Sequence, residues 1–170
     1  MITTIPDEPP MDRVRRARTL RRIGATLLVL FVLAGAVGVF GTRTTTTRAE
    51  GGGYQMTVTY PSNSRPGHAV RFKVLVHSEK GFTDPIRIRM ASTYFELFDE
   101  NAFDPDADAQ TMDATYSYLE YKAPDGKDFL ISSDTRVEPS RQRGEPGEVS
   151  VLDAQGAPVV TARFRTRIWP

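Results

Sequence analysis

Residues 54–60, YQMTVTY, place Tyr54, Met56, Val58 and Tyr60 on one register and Gln55, Thr57 and Thr59 on the other. Successive side chains of a strand point to opposite faces, so the alternation predicts a half-buried β-strand. PSNSRPG (61–67) ends it with turn chemistry. The pattern then repeats. HAVRFKVLVH (68–77) turns Val70, Phe72, Val74 and Val76 inward and Arg71 and Lys73 outward. PIRIRMA (85–91) turns Ile86, Ile88 and Met90 inward and leaves Arg87 and Arg89 facing water. ATYSYLEY (114–121) sets Tyr116 and Tyr118 opposite Leu119 and Tyr121, and DFLISSD (128–134) follows the strong turn APDGK. EVSVLD, the turn AQG and PVVTARFRTRIW (158–169) read as a hairpin in which Val160, Ala162, Phe164, Thr166 and Ile168 share a face. YFELF (94–98) is too short to separate a strand from one helical turn.

Seven to nine short strands with no helical period between them predict a mainly β fold, an antiparallel β-sandwich of immunoglobulin or fibronectin type. A small barrel is the alternative architecture.

Outward from this β region, residues 23–41, IGATLLVLFVLAGAVGVFG, carry no charge. As a helix they reach roughly 28 Å, near the hydrocarbon thickness of a bilayer. A core helix has no need to be apolar on every side over that length, so the stretch predicts a transmembrane helix. Ala34 and Gly38 have the small-xxx-small spacing that lets such helices pair. The residues before it hold six arginines against Asp7, Glu8 and Asp12, whereas only Arg43 and Arg48 lie close on the other side. Cationic flanks stay cytoplasmic, so the N-terminus is expected inside and the β region outside. A cleaved signal peptide shares the basic head, but its apolar core is usually shorter, about 7–15 residues. The expected organisation is a basic cytoplasmic tail (1–22), a transmembrane helix (23–41), a membrane-proximal strand or stalk (42–53) and an extracytoplasmic β-sandwich (54–170). Within the tail, Met1–Asp12 reads as disordered and Met11–Arg22 as a helical lead-in at the membrane surface. Thr42–Arg48 reads as a strand that pairs with the next, with Gly51–Gly53 as its turn.

The net charge of +1 conceals a split, about +3 before the span and −2 after it. A mildly acidic exterior gives no electrostatic case for nucleic acid. The chain has no cysteine, which excludes disulfides, thiol nucleophiles and cysteine-ligated metals.

The acidic loop DENAFDPDADAQTMD (99–113) places Asp104, Asp106 and Asp108 at alternate positions, a weak Ca²⁺-ligand candidate. An EF-hand loop starting at Asp104 needs glycine at 109 and glutamate at 115, and Ala109 and Thr115 stand there, so a hydrated loop is the better reading. Arg163, Arg165 and Arg167 share one face of the last long strand and are the candidate interaction face for phosphate-rich polymer or lipid head groups. The competing reading is a water-facing sheet surface paired across strands with Glu and Asp. His68 and His77 lie at opposite ends of one strand, roughly 30 Å apart, too far to share a centre. Glu96 and Asp99 have no sugar cleft about them, and no nucleophile has a recognisable partner, so catalysis is not expected and no cofactor is implied. Trp169 is expected to plug the end of the sandwich rather than form an exposed patch with Tyr54 and Tyr60.

The order of basic head, single span, GGGYQMTVTYP, GFTDPIRI, YFELFDENAFDP, PDGKDFLISSD and PVVTARFRTRIWP resembles a group of uncharacterised small single-pass membrane proteins of actinobacteria. The resemblance implies an exterior immunoglobulin-like domain and brings no catalytic residues with it. The expected function is a non-enzymatic, membrane-anchored extracytoplasmic interaction domain. Its partners would be lipid through the helix and a membrane protein or cell-envelope component through the sandwich. The alternative is a Ca²⁺-dependent or envelope-polymer-binding adhesion module.

Overall fold

A computed structural model of the chain describes residues 11–36, 41–99 and 102–169. The chain divides into two compact units, Met1–Gly41 and Thr42–Pro170. In the first, α1 (Met11–Ala36) is one continuous helix. It begins at Met11, so Met11 and Asp12 are helical rather than disordered, and the basic lead-in is the same helix as the apolar run. Over Arg15–Ala36 it is long and apolar enough to cross a membrane or to serve as a signal sequence. Leu27 to Leu33 are exposed, as expected of a helix apolar on every side. The disorder expected of residues 1–10 and the end of the span at 37–40 lie outside the described residues.

The second unit starts with a hairpin. Gly52 and Gly53 have φ of 59° and 82°, the left-handed backbone that a two-residue type I′ turn needs. They join β1 (Arg43–Gly51) to β2 (Tyr54–Ser64) in antiparallel register, Gly51 opposite Tyr54. β3 (Ala69–Ser78) pairs with β2 only from Tyr54↔Ser78 to Thr59↔Lys73, and β7 (Asp128–Arg136) pairs with β3 along its length. The second sheet has the order β5 (Ala109–Met112), β6 (Tyr116–Tyr121), β4 (Ile86–Ala91), β8 (Pro146–Leu152) and β9 (Pro158–Arg165).

The two sheets make a β-sandwich with one core. Met56, Val58, Phe72, Val74, Val76 and Ile131 of the first sheet face Ile88, Met90, Leu119, Val149, Val160 and Ala162 of the second, all nearly or wholly buried. A buried aliphatic or aromatic side chain contributes roughly 1.5–3 kcal/mol relative to exposure, and with no cysteine such burial carries the stability of this unit.

One ambiguity of the sequence reading is decided, and three local outcomes differ from it. Of YFELF, Tyr94 and Phe95 end a helical turn, α2 (Ser92–Phe95), Phe98 bridges Val137, and Tyr94, Phe95, Leu97 and Phe98 plug one end of the sandwich. Trp169, expected as that plug, is 49% exposed, because the aromatic volume there is already filled by Tyr94, Phe95, Phe98, Phe72 and Phe164. The acidic loop contains β5, exposed on both faces, which is why it lacks alternation. The last long strand is two: after Arg165 the chain crosses to the first sheet, where β10 (Arg167–Ile168) runs parallel to β2 at Asn63 and Ser64.

Candidate interaction surface

Thr166 makes that crossing possible. Its side chain is buried, and its hydroxyl donates to the Pro61 carbonyl at 2.6 Å. With that proton committed, the Thr166 oxygen accepts from the buried Tyr94 hydroxyl at 2.9 Å. The Thr166 amide donates to the Glu145 carbonyl. Burial pushes the Tyr94 phenol far up, so it remains a donor. The Thr166 amide and hydroxyl are thus satisfied inside the protein. Gly144 lies against the crossover so closely that a Cβ would overlap the Thr166 carbonyl oxygen and the Arg167 Cα.

The candidate arginines separate at the crossover. Arg163 of β9 joins an ion cluster on the outer face of the second sheet. It donates from Nε to Glu148 Oε2 at 2.8 Å, and Arg89 donates to Glu148 Oε1 at 2.9 Å. The Arg89 guanidinium also lies 4.1 Å from the centroid of the Tyr116 ring, whose hydroxyl donates to Glu148. Arg89 and Glu148 side chains are only 18% and 17% exposed, whereas Arg163 is 79% exposed. Arg89, expected to face water, is therefore folded down onto the sheet. Burial pushes the Glu148 carboxyl up, but the hydrogen bond and charge of Arg163, the charge of Arg89 and the Tyr116 hydroxyl together hold it below the ordinary glutamate value. Arg87 pairs with Glu120 in the same way across β4 and β6. These are the cross-strand pairs that a solvated antiparallel sheet favours.

Arg165 and Arg167 meet other partners. With Arg143, Gly144 and Trp169 they line an open hollow of about 420 Å³ at the crossover. Nearby, β2 and β3 part after the Thr59↔Lys73 pair, and a cleft of about 660 Å³ opens, lined by Arg43, Pro61, Asn63, Arg71, Asp134 and Arg136. Within the cleft Arg71 donates to Asp134 at 2.6 Å, and the Arg71 guanidinium holds the Asp134 carboxyl below its usual value. Arg43 is register partner to Asn63, and Asn63 to Arg167, so hollow and cleft occupy one end of the sandwich. Arg65 follows Ser64, whose carbonyl accepts from the Trp169 amide, and Arg136 faces Ala69 at the start of β3.

Arg43, Arg65, Arg136, Arg143, Arg165 and Arg167 are all exposed. Asp134, Glu120, Glu96 and Glu148 pair instead with Arg71, Arg87, Arg141 and, for Glu148, both Arg89 and Arg163. The acids at this end are Asp134, paired with Arg71, Glu96, paired with Arg141, Asp99 and Glu138, joined by their side chains, and Glu145. The loops at the other end reverse the balance: Glu79, Asp84, Asp125, Asp128 and Asp153 against Lys80, Lys122 and Lys127.

Asp104, Asp106 and Asp108 do not converge. The Asp104 main chain bridges to Ser132, and Asp108 binds Lys122 through both its amide and its ammonium. The Lys122 amide and ammonium hold the Asp108 carboxyl low. Among the described residues no group of three or more His, Asp or Glu gathers to hold a metal; Glu100 lies outside them. His77 contacts Asp128 at 2.7 Å, at the opposite end of β3 from His68. Tyr60 is buried against Phe164 and Tyr54 stacks on Phe82, so neither joins Trp169. Sequence reasoning did not place Arg65, Arg136 and Arg143 beside Arg165 and Arg167; the run RQRG at 141–144 was the one local signal.

No family model matches this chain, and no curated protein matches it. Solved structures that resemble it include the sixth cohesin of Acetivibrio cellulolyticus scaffoldin B, in complex with a Cel5 dockerin mutant, at 15% identity and TM-score 0.36 over 63% of this chain and 92% of that one. A non-cellulosomal cohesin from the archaeon Archaeoglobus fulgidus aligns at 9% identity and TM-score 0.37 over 75% and 92%. AvmM, which catalyzes macrocyclization in alchivemycin A biosynthesis, aligns at 14% identity and TM-score 0.36 over 74% and 89%. Scores this low bear on neither function nor individual residues.

Proposed function

We propose that this chain is a single-pass, signal-anchored membrane protein whose sandwich lies outside the cytoplasm as a non-enzymatic interaction domain docking a membrane or cell-envelope partner. The observation that carries the reading is the union of two features in one chain: a helix apolar on every side, and a β unit with its own closed core. The six arginines before the apolar run favour an inside N-terminus. The resemblance to single-pass actinobacterial membrane proteins points the same way. The non-enzymatic reading rests on how the polar groups are used. Glu148, Glu120 and Asp134 neutralise arginines across strands, and the buried hydroxyls of Tyr94 and Thr166 hold the crossover. The hollow and the cleft at the arginine end are lined by arginines and turn residues rather than by a nucleophile with a base.

The test is purification of the full chain from native membranes in mild detergent, with a photo-crosslinker at Arg167 and, separately, at Thr111. One recurring adduct of defined mass, retained through an alkaline membrane wash, supports the reading. Recovery of this chain alone from every position, or its release by the wash, overturns it.

A further inference from the structure

We infer that the arginine-rich end of the β unit, with Trp169 at its rim, docks on the anionic phospholipid head groups of the bilayer that carries the protein's own helix. The inference rests on the membrane-anchored reading above and names a ligand for the domain that it leaves open. Three observations converge on it.

The first is charge. Six exposed arginines collect at one end from five separate segments: Arg43 of β1, Arg65 of the β2–β3 turn, Arg136 of β7, Arg143 of the 137–145 loop, and Arg165 and Arg167 at the crossover. The acids at that end are largely engaged, and the opposite end is acidic. Such a distribution orients the unit toward a negatively charged plane, and guanidinium groups bind phosphate oxygens in bidentate fashion.

The second is Trp169. It is half exposed beside Arg143, Arg165 and Arg167, while its amide is anchored on the Ser64 carbonyl. An amphipathic ring on an anchored backbone among cations is the combination that settles at the level of lipid head groups.

The third is covalent. Six residues lie between Ala36, the last described residue of α1, and Arg43, so over seven Cα steps the chain reaches at most roughly 25 Å. A tether that short raises the local concentration of head groups at the Arg43 end, so weak individual contacts suffice. The basic end does not contradict the expected orientation. Only Arg43 and Arg48 lie within about 15–20 residues of the span, and the others reach that end through folding.

Trp169 is the only tryptophan in the chain, so the full-length protein carries its own reporter. The experiment reconstitutes it into vesicles of phosphatidylcholine alone and of phosphatidylcholine with phosphatidylglycerol. Flotation and Trp169 fluorescence are then read, with brominated lipid and aqueous acrylamide as quenchers. Either orientation of insertion presents the domain with a leaflet of the same composition. The chain is expected to float with both vesicles. In the anionic vesicles Trp169 emission moves to shorter wavelength, brominated lipid quenches it and acrylamide quenching is lost. These changes reverse at 1 M salt, where screening falls to about 3 Å. The variant R143Q/R165Q/R167Q, which breaks no ion pair shown here, should keep its Tm and lose the shift. Flotation with both vesicles but Trp169 emission identical in the two overturns the docking inference and leaves the anchor standing. Failure to float overturns both.

Discussion

Thr166→Val is nearly isosteric, so it removes two hydrogen bonds without opening a cavity. In the native protein the Thr166 hydroxyl is the donor to the Pro61 carbonyl and the acceptor for Tyr94, all within a buried region. Valine leaves one buried acceptor and one buried donor unsatisfied. Each such group costs about 1–3 kcal/mol, so the variant should lose about 2–6 kcal/mol, a large fraction of the 5–15 kcal/mol typical of a domain. Tyr94→Phe alone should cost less, about 1 kcal/mol, because Thr166 keeps its bond to Pro61. Adding Tyr94→Phe to Thr166→Val removes the stranded phenol and should recover part of the loss. The assay is urea unfolding of all four proteins as a double-mutant cycle, with a coupling of about 0.5–3 kcal/mol expected. A Thr166→Val protein within about 0.5 kcal/mol of wild type, or strictly additive variants, would refute the crossover as a hydrogen-bonded lock.

Other consequences follow from the same contacts. Glu148→Ala leaves the folded-down Arg89 without its carboxylate and should cost about 2 kcal/mol, between a surface pair and a fully buried one, whereas Arg163→Ala at the exposed end should cost under about 1 kcal/mol in the same unfolding assay. Because the Glu148 carboxyl is held below its ordinary value, the unfolded chain binds more protons in acid; its contribution is complete above the ordinary glutamate pKa of about 4.3 and is lost as pH falls through the depressed native value. Thermal melts from pH 6 to pH 3 should show that fall, and Glu148→Gln should lessen it. Gly144→Ala forces the 142–144 segment off the crossover and should lower Tm and change Trp169 emission together.

Much of the sandwich was legible because alternation is a local property. The inward sets of β2, β3, β4 and β9 are the residues the pattern assigned, and Arg87 of β4 and Arg163 of β9 find the cross-strand acids that a solvated face requires. The change of sheet at Thr166 was not legible, for a physical reason. Both sheets face the same core, so Phe164, Thr166 and Ile168 remain buried at period two whether or not the chain crosses. The contact that marks the crossing joins residues 105 positions apart. β5 escaped because both its faces are exposed, and the arginine end escaped because it is assembled from five segments that only folding brings together. YFELF was ambiguous because a short apolar run fits either a strand or a helical turn, and the aromatic cluster against Phe72 and Phe164 decides it.

Topology is the most direct point of test, and the absence of native cysteine makes it accessible. Single cysteines introduced as Thr3→Cys and Lys80→Cys would be exposed in intact cells to a maleimide that does not cross membranes. The account predicts that Lys80→Cys is labelled at once on a chain of full-length mass that stays with alkaline-washed membranes, and Thr3→Cys only after permeabilisation. Labelling of Thr3→Cys in intact cells, protection of Lys80→Cys, or label on a shortened chain free of the membrane would contradict it.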